Sequence, residues 1–196
     1  MTRSSGRGRY RKIGARVIRA VGSALLLLGA VFVPAQQQPS EYQVKAAFLY
    51  NFMKFVQWPD ANDASPMVIG VVGNDPFGPL LDEAVRAKSI NGRLVQIRRL
   101  KARENLHGCH ILFISNSDRV DVSRILAALA GDHALTVGES DRFLRQGGMI
   151  ALLMENDQVR LEINLPAAED KGLKLSSKLL AVARVMGAPR SRGGGE

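Results

Sequence analysis

Two largely apolar runs of strand length constrain the fold of this chain more than any other feature. Residues 67–73 read MVIGVVG and residues 109–115 read CHILFIS. A strand with apolar side chains at successive positions is buried on both faces, as in a parallel sheet covered by helices. Helical periodicity follows each run, at 80–85 and at 120–130. The sequence therefore predicts an α/β fold, with a mostly parallel central sheet and helices on both faces.

The C-terminal part predicts a different strand arrangement. Residues 149–154 and 159–165 have strand composition and are joined by the short polar link Glu155-Asn156-Asp157-Gln158. So short a link predicts an antiparallel hairpin, which we expect at an edge of the sheet. Pro166 then predicts the start of a final helix, whose apolar stripe extends from Leu175 to Val185.

Residues 41–59, EYQVKAAFLYNFMKFVQWP, predict a helix in front of the first strand. Ser40 and Gln43 form a capping-box pattern, and Pro59 is expected to end the helix. Two interpretations remain open. The helix either packs into the core or leaves a partly exposed face that binds a partner, for which the candidate residues are Tyr42, Phe48 and Trp58. The predicted core stripe consists of Val44, Ala47, Phe48 and Phe55, broadened by Leu49, Phe52, Met53 and Val56.

The positive charge of the chain is concentrated at its start. The sequence has 27 Lys and Arg against 18 Asp and Glu, a net charge of +9. Residues 1–35 contain seven of the basic residues and no acidic residue, so the remainder has 27 − 7 = 20 basic against 18 acidic side chains. A nearly neutral domain is a poor candidate for binding a nucleic acid polymer, which relies on phosphate contacts.

Residues 1–35 have the three parts of a Sec signal peptide. A basic segment ends at Arg19, the apolar run AVGSALLLLGAVFV follows, and Ala35 stands at the expected cleavage position. The apolar run is shorter than the roughly 20 residues that span a membrane, so an uncleaved anchor is the less favoured alternative. We therefore expect a periplasmic protein with a linker at 36–40, a single domain at 41–186 and a disordered Gly/Arg-rich tail at 187–196.

No metal, cofactor or catalytic site is predicted. His107, Cys109 and His110 are close in sequence, but only His133 remains to complete a ligand set. The same histidines have no G-x-S-x-G nucleophile motif to act with. Glu139 and other acids at predicted helix starts are interpreted as solvated caps. A single cysteine cannot form an intramolecular disulfide, so the domain depends on its core.

Polar residues gather at a predicted bend near the C-terminus. They are Asn164, Lys174, Ser176 and Ser177. Either they cap and solvate the ends of helices, or they form a site for a ligand or partner.

Five segments in this order resemble the YfiR-like periplasmic family over about residues 41–185. They are EYQVKAAFLYNFMKFVQWP, GVVGNDPFG, CHILFIS, GGMI and EINLPAAEDKGLKLSSKLLAVARV. The resemblance implies an α/β domain without enzymatic activity that represses an inner-membrane diguanylate cyclase of the YfiN type by binding its periplasmic region. It further implies an outer-membrane lipoprotein of the YfiB type that sequesters the repressor, a homodimer, and small nucleotide or aromatic ligands such as GMP and tryptophan.

The resemblance extends only partly to individual residues. Some relatives form two disulfides, whereas this sequence matches those cysteine positions at Cys109 alone, so disulfide control is not expected. The ligand site of relatives maps near Lys174 and Ser176. We therefore expect a periplasmic repressor in cyclic di-GMP signalling. The alternative from another class is a small-solute-binding module that serves a different receptor or sensor kinase.

Overall fold

The computed structural model describes residues 38–59, 65–116 and 120–186. The signal peptide, most of the linker and the C-terminal tail that the sequence predicts lie outside these residues. Within them, no helix is both long and apolar enough to cross a bilayer. The helices are α1 (Glu41–Phe55), α2 (Pro79–Val85), α3 (Val122–Ala128), α4 (Asp141–Arg145), α5 (Leu165–Glu169) and α6 (Ser177–Ala181). The strands are β1 (Val56–Gln57), β2 (Met67–Val72), β3 (Ser89–Ile90), β4 (Arg93–Leu100), β5 (Ile111–Ile114), β6 (Leu135–Gly138), β7 (Ile150–Glu155), β8 (Gln158–Asn164), β9 (Lys174–Leu175) and β10 (Arg184–Met186).

The main sheet of the described residues has eight strands in the order β10-β8-β7-β6-β5-β2-β4-β3. Strands β4, β2, β5, β6 and β7 are parallel neighbours, and antiparallel pairs occur at β3–β4 and β7–β8. The chain places β4 on one side of β2 and β5 on the other, which creates a topological switch point at the carboxyl ends of β2 and β5. The mostly parallel sheet with a C-terminal antiparallel hairpin is confirmed.

Helices cover both faces of the sheet, as predicted. Alternate side chains of β5 point to opposite faces, so Ile111 and Phe113 pack with α1 and α2, whereas Leu112 and Ile114 pack with α3 and α4. Helices α5 and α6 contribute to the same core as α1. These four β5 side chains are at most 2% exposed, which explains why the strand is apolar throughout.

Helix α1 begins as the sequence predicts. The Ser40 hydroxyl accepts a hydrogen bond from the Gln43 backbone, and the Gln43 side chain accepts one from the Ser40 backbone. The helix ends at Phe55, earlier than expected from Pro59, because Val56 and Gln57 leave the helix to pair with β9. A backbone that forms strand hydrogen bonds cannot continue the helical ones.

The buried face of α1 differs from the predicted stripe. Its buried residues are Lys45, Ala46, Leu49, Phe52 and Met53, while Ala47 is exposed and Val44, Phe48 and Phe55 are half-buried. The residues that the prediction placed at the flank therefore form the centre of the contact. The periodicity located an apolar surface but misplaced its centre, because a lysine lies within it.

The predicted final helix is wrong. The chain from Leu165 onwards forms two short helices, each followed by a short strand, because Gly172 adopts φ 72° and Ser176 caps a new helix. β10 then pairs in parallel with β8. The β7–β8 hairpin consequently lies inside the sheet, with β10 at the edge where the hairpin was expected.

Candidate functional site

A buried lysine joins α1 to the carboxyl edge of the sheet. Lys45 is 2% exposed, and its Nζ donates hydrogen bonds to Glu41 and, at 2.5 Å, to Glu139 at the end of β6. Burial by itself would lower the pKa of Lys45, but the hydrogen bonds to the two carboxylates raise it above its ordinary value. Lys45 therefore stays charged, and its charge is shared between a local partner and a distant one.

Tyr42 extends this cluster toward the loop after β2. Its ring makes an edge-on contact with Phe77, whose ring contacts Phe113 of β5 in turn. The Lys45 ammonium lies 5.0 Å from the centre of the Tyr42 ring. Burial, and then the negative charge of Glu139, raise the pKa of the Tyr42 hydroxyl. Tyr42 thus stays neutral beside the charged cluster.

A cavity of about 300 Å³ lies next to this cluster, at the carboxyl ends of β5 and β6. Its polar lining includes Ser115 and Asn116 after β5, Asp121 at the start of α3, Glu139 and Ser140 after β6, and Arg142 in α4. Ligands of open parallel sheets bind in such crevices beside the switch point. Asp121 and Ser140 also cap α3 and α4, so the helix starts hold these side chains in place.

Phe48 lines a separate groove beside the β7–β8 hairpin and the edge strand β10. We call it the Phe48 groove: it has a volume of about 420 Å³, and Phe48, Val159, Leu161 and Val182 are among its apolar residues. Val182 is 69% exposed. The groove adjoins the edge strand β10, which pairs with β8 on one side. An exposed apolar surface beside a sheet edge is a typical protein-binding surface.

Trp58 lies at the opposite end of the strands from Tyr42. Its indole N–H donates to the His110 backbone carbonyl at 3.1 Å, and its ring packs edge-on against the His110 ring, just before β5. The three aromatic residues predicted to bind a partner are therefore spread over different parts of the domain. Each is half-buried and packs against the core, and their role in partner binding stays a prediction.

The predicted ligand residues at the C-terminal bend have local structural contacts. The Asn164 side chain accepts from the Ala167 backbone and caps α5, and the Ser176 hydroxyl accepts from the Leu179 backbone and caps α6. Lys174 and Ser177 are exposed. Capping uses one lone pair of each oxygen, so a ligand role for these residues stays a prediction.

His107 and His133 each contact a different part of the fold, and Cys109 is buried. His107 Nδ1 is 2.8 Å from Asp132, and His133 Nδ1 is 2.7 Å from the Lys171 carbonyl oxygen. Burial raises the pKa of the Cys109 thiol, which keeps it protonated and unreactive. In the part of the chain that the structure describes, no three His, Cys, Asp or Glu side chains are grouped closely enough to hold a metal ion.

The sequence interpretation missed Lys45 and Glu139. Lys45 stands within a run of apolar helix positions. That placement could have indicated a buried lysine, which needs a carboxylate partner. Glu139 was interpreted as a solvated cap, although its side chain is only 10% exposed. Its proximity to Lys45 depends on the packing of α1 across β6, which no short sequence pattern encodes.

Comparison with known proteins gives a family and a fold. The model of the family described as YfiR/HmsC-like matches residues 42–184. No curated protein matches the chain. A solved conserved domain protein of Vibrio cholerae O1 biovar El Tor is similar, with a TM-score of 0.53, 14% identity, and coverage of 74% of this chain and 60% of that one.

A second solved structure is an ABC domain of Streptococcus pneumoniae in complex with L-Trp. It has a TM-score of 0.52 and 10% identity, and the match covers 75% of this chain and 61% of that one. The chain therefore spans about three fifths of the length of both solved proteins. At these identities the similarity concerns the fold alone, and it agrees with the α/β architecture.

Proposed function

Because this chain belongs to the YfiR/HmsC-like family, we propose that it is a periplasmic regulator that binds and represses an inner-membrane diguanylate cyclase. The observation that carries the proposal is the family match over residues 42–184, which extends from the second residue of α1 to the first residue of β10. The expected result of its activity is a lower cellular level of cyclic di-GMP. The role is one of binding, without catalysis by this chain.

Repression requires different affinities for two states of the cyclase. A regulator that binds the inactive state more tightly shifts the cyclase toward that state, by no more than the difference between the two binding free energies. Removal of the regulator, for example by an outer-membrane lipoprotein that sequesters it, would release the cyclase. A homodimer is compatible with this scheme and remains a prediction.

The Phe48 groove is the surface that we propose for the cyclase. Phe48 is the predicted partner residue that lines an open groove, and the apolar side chain of Val182 beside it is exposed. Charged side chains at the rim are already paired, Arg160 with Glu155 and Arg184 with Glu162. Paired rim charges leave the apolar centre as the main source of binding free energy. Tyr42 and Trp58 have buried contacts and are the weaker candidates.

The test is the level of cyclic di-GMP in cells that lack this gene. We expect the level to rise and to return to normal when the full chain is supplied. A version without residues 1–35 should fail to restore it, because the regulator must reach the periplasm. An unchanged level across several growth conditions would overturn the proposed function.

A second candidate is a small-solute-binding module that serves another receptor or sensor kinase. The polar cavity at the carboxyl ends of β5 and β6 favours it, since similar positions bind ligands in other parallel-sheet proteins. The solved S. pneumoniae domain, which binds L-Trp, has a similar fold. Ligand binding without capture of a cyclase periplasmic region would favour this candidate over the first.

A further inference from the structure

We propose that the cavity at the carboxyl ends of β5 and β6 binds a small organic cation that carries an ammonium group. This inference goes beyond cyclase repression and does not depend on it. The cavity also differs from the C-terminal bend, since neither Lys174 nor Ser176 lines it. Three observations carry the proposal: the charge of the site, an unused buried hydroxyl and the cavity's size.

Among the described residues, the charged groups at the site sum to −1. Asp121 and Glu139 line the cavity with Arg142, and Glu139 shares Lys45 with Glu41. Among these described groups, three carboxylates against two cations leave one negative charge in excess. Asp121 uses Oδ1 to accept from the Arg124 backbone at 3.2 Å, so its second oxygen is available to a ligand. A monocation would balance the site, whereas a phosphate or nucleotide would add to its negative charge.

Ser115 supplies a hydroxyl that the fold does not use. The residue is 6% exposed and lines the cavity, yet its side chain has no hydrogen-bond partner among the described residues. In the described part of the chain, every fully buried side-chain nitrogen or oxygen has a hydrogen-bond partner. The Ser115 hydroxyl is therefore accessible, on a residue that lines the cavity. It can accept a hydrogen bond from an ammonium group.

The cavity is suited to a small solute. Its volume of about 300 Å³ is at the lower end of the range of about 300–1,000 Å³ that ligand pockets occupy. Phe143 and Ile114 provide apolar surface for a short carbon chain. Glu139 also accepts a hydrogen bond from Lys45. A ligand that binds this carboxylate therefore contacts the same side chain that pairs with α1.

The test uses 4-amino-1-butanol, a monocation at neutral pH, and 1,4-butanediol, a neutral molecule of the same shape. Amide chemical shifts of the full exported protein are followed during titration at low salt. We expect saturable shifts at Ser115, Asn116 and Glu139 with the amine and none with the diol. Added NaCl should weaken the binding, because the attraction is partly between exposed charges.

Two variants test the residues. Asp121→Asn keeps the helix cap, since Asn caps as well as Asp, and should weaken binding of the amine about three- to fivefold. Ser115→Ala should weaken it by a similar factor. Asp170→Asn, the same change at an exposed residue that does not line the cavity, should leave it unchanged. Absence of amine binding, equal binding of the diol, or binding that neither Asp121→Asn nor Ser115→Ala affects would overturn the proposal.

Discussion

The Nζ atom of Lys45 lies 2.5 Å from Oε1 of Glu139, across 94 positions of the chain. This pair connects the first helix to the carboxyl end of β6, where the polar cavity opens. Both side chains are largely removed from water, at 3% and 10% exposure. The contact therefore joins the packing of α1 to the geometry of the candidate ligand site.

Removal of one member of this pair should be costly. Lys45→Met keeps most of the side-chain length but leaves the Glu139 carboxylate buried without its cation, which typically costs about 3–5 kcal/mol. Urea unfolding followed by circular dichroism would measure the loss. The double variant Lys45→Met/Glu139→Gln removes both charges and should recover most of it. A single-variant loss no greater than that of the double variant would contradict the buried pairing.

Two phenylalanines of α1 should separate stability from partner binding. Phe52 is 0% exposed, so Phe52→Ala should lower the unfolding free energy by about 3–5 kcal/mol. Phe48 is half-buried in the groove, so Phe48→Ala should cost less stability and should abolish capture of the cyclase periplasmic region by the folded protein. Urea unfolding and a binding assay on the same preparations give both values. Full partner binding by Phe48→Ala would remove Phe48 from the interface.

A charge in the Phe48 groove should disrupt partner binding without unfolding the domain. Val182 is 69% exposed, so Val182→Lys changes a surface residue and should alter stability by less than about 0.5 kcal/mol. It should nevertheless raise the dissociation constant for the cyclase region at least tenfold, because it would bury an unpaired ammonium. Leu94→Lys is the matched control, since Leu94 is 62% exposed on β4, toward the other edge of the sheet. Equal effects of the two substitutions would place the interface elsewhere.

Gly148, which lies beside Phe143, should resist substitution. A Cβ atom added at Gly148 would overlap the Phe143 ring, whereas one added at Gly131 meets no atom within 4 Å. Gly148→Ala should therefore cost about 1–3 kcal/mol through overpacking, and Gly131→Ala should cost little. Thermal or urea unfolding measures both. Phe143→Leu introduced with Gly148→Ala should restore part of the loss, and a tolerated Gly148→Ala would show that the ring moves aside freely.

Low pH should remove the contribution of Asp82 to the unfolding free energy. Hydrogen bonding to Arg99 holds the pKa of the Asp82 carboxyl below its ordinary value. The unfolded state therefore takes up the proton more readily, so this stabilisation is present above the unfolded pKa of about 3.9 and is lost as pH falls through the lower folded value. Asp82 is half exposed, so the contribution at pH 7 is about 0.5 kcal/mol.

The measurement compares the unfolding free energies of the wild type and Asp82→Asn at several pH values. Their difference should shrink as pH falls below about 4. A constant difference between wild type and Asp82→Asn down to pH 2 would contradict the role of Arg99.

Several elements were predictable because their cause is local. The Ser40–Gln43 capping box depends on residues three positions apart. The link between β7 and β8 is a two-residue turn in which Asn156 and Asp157 both have positive φ, residue types that tolerate such geometry. The apolar runs at β2 and β5 likewise indicated strands covered on both faces.

Other features depend on residues that only the folded chain brings together. The stretch from Leu175 to Val185 has an apolar spacing that fits a helix, but pairing of Leu175 with Val56 and of Val185 with Ile163 divides it into strands and a short helix. Backbone pairing with a distant segment competes with formation of a local helix. The stability of that pairing cannot be predicted from the local sequence pattern. The misplaced centre of the α1 stripe has the same origin, since Glu139 holds a lysine inside it.

The sequence by itself determined the class of fold, the order of its main elements as far as β8 and the family, because these follow from apolar periodicity, capping and motifs within short segments. Tertiary structure alone decided that Lys45 is buried, that Tyr42, Phe48 and Trp58 lie in three different places, and that Ser115, Asp121 and Glu139 line one cavity. Those three residues come from the ends of separate elements. Parallel strands bring their carboxyl ends to the same edge of the sheet, and packing across that edge sets which side chains meet.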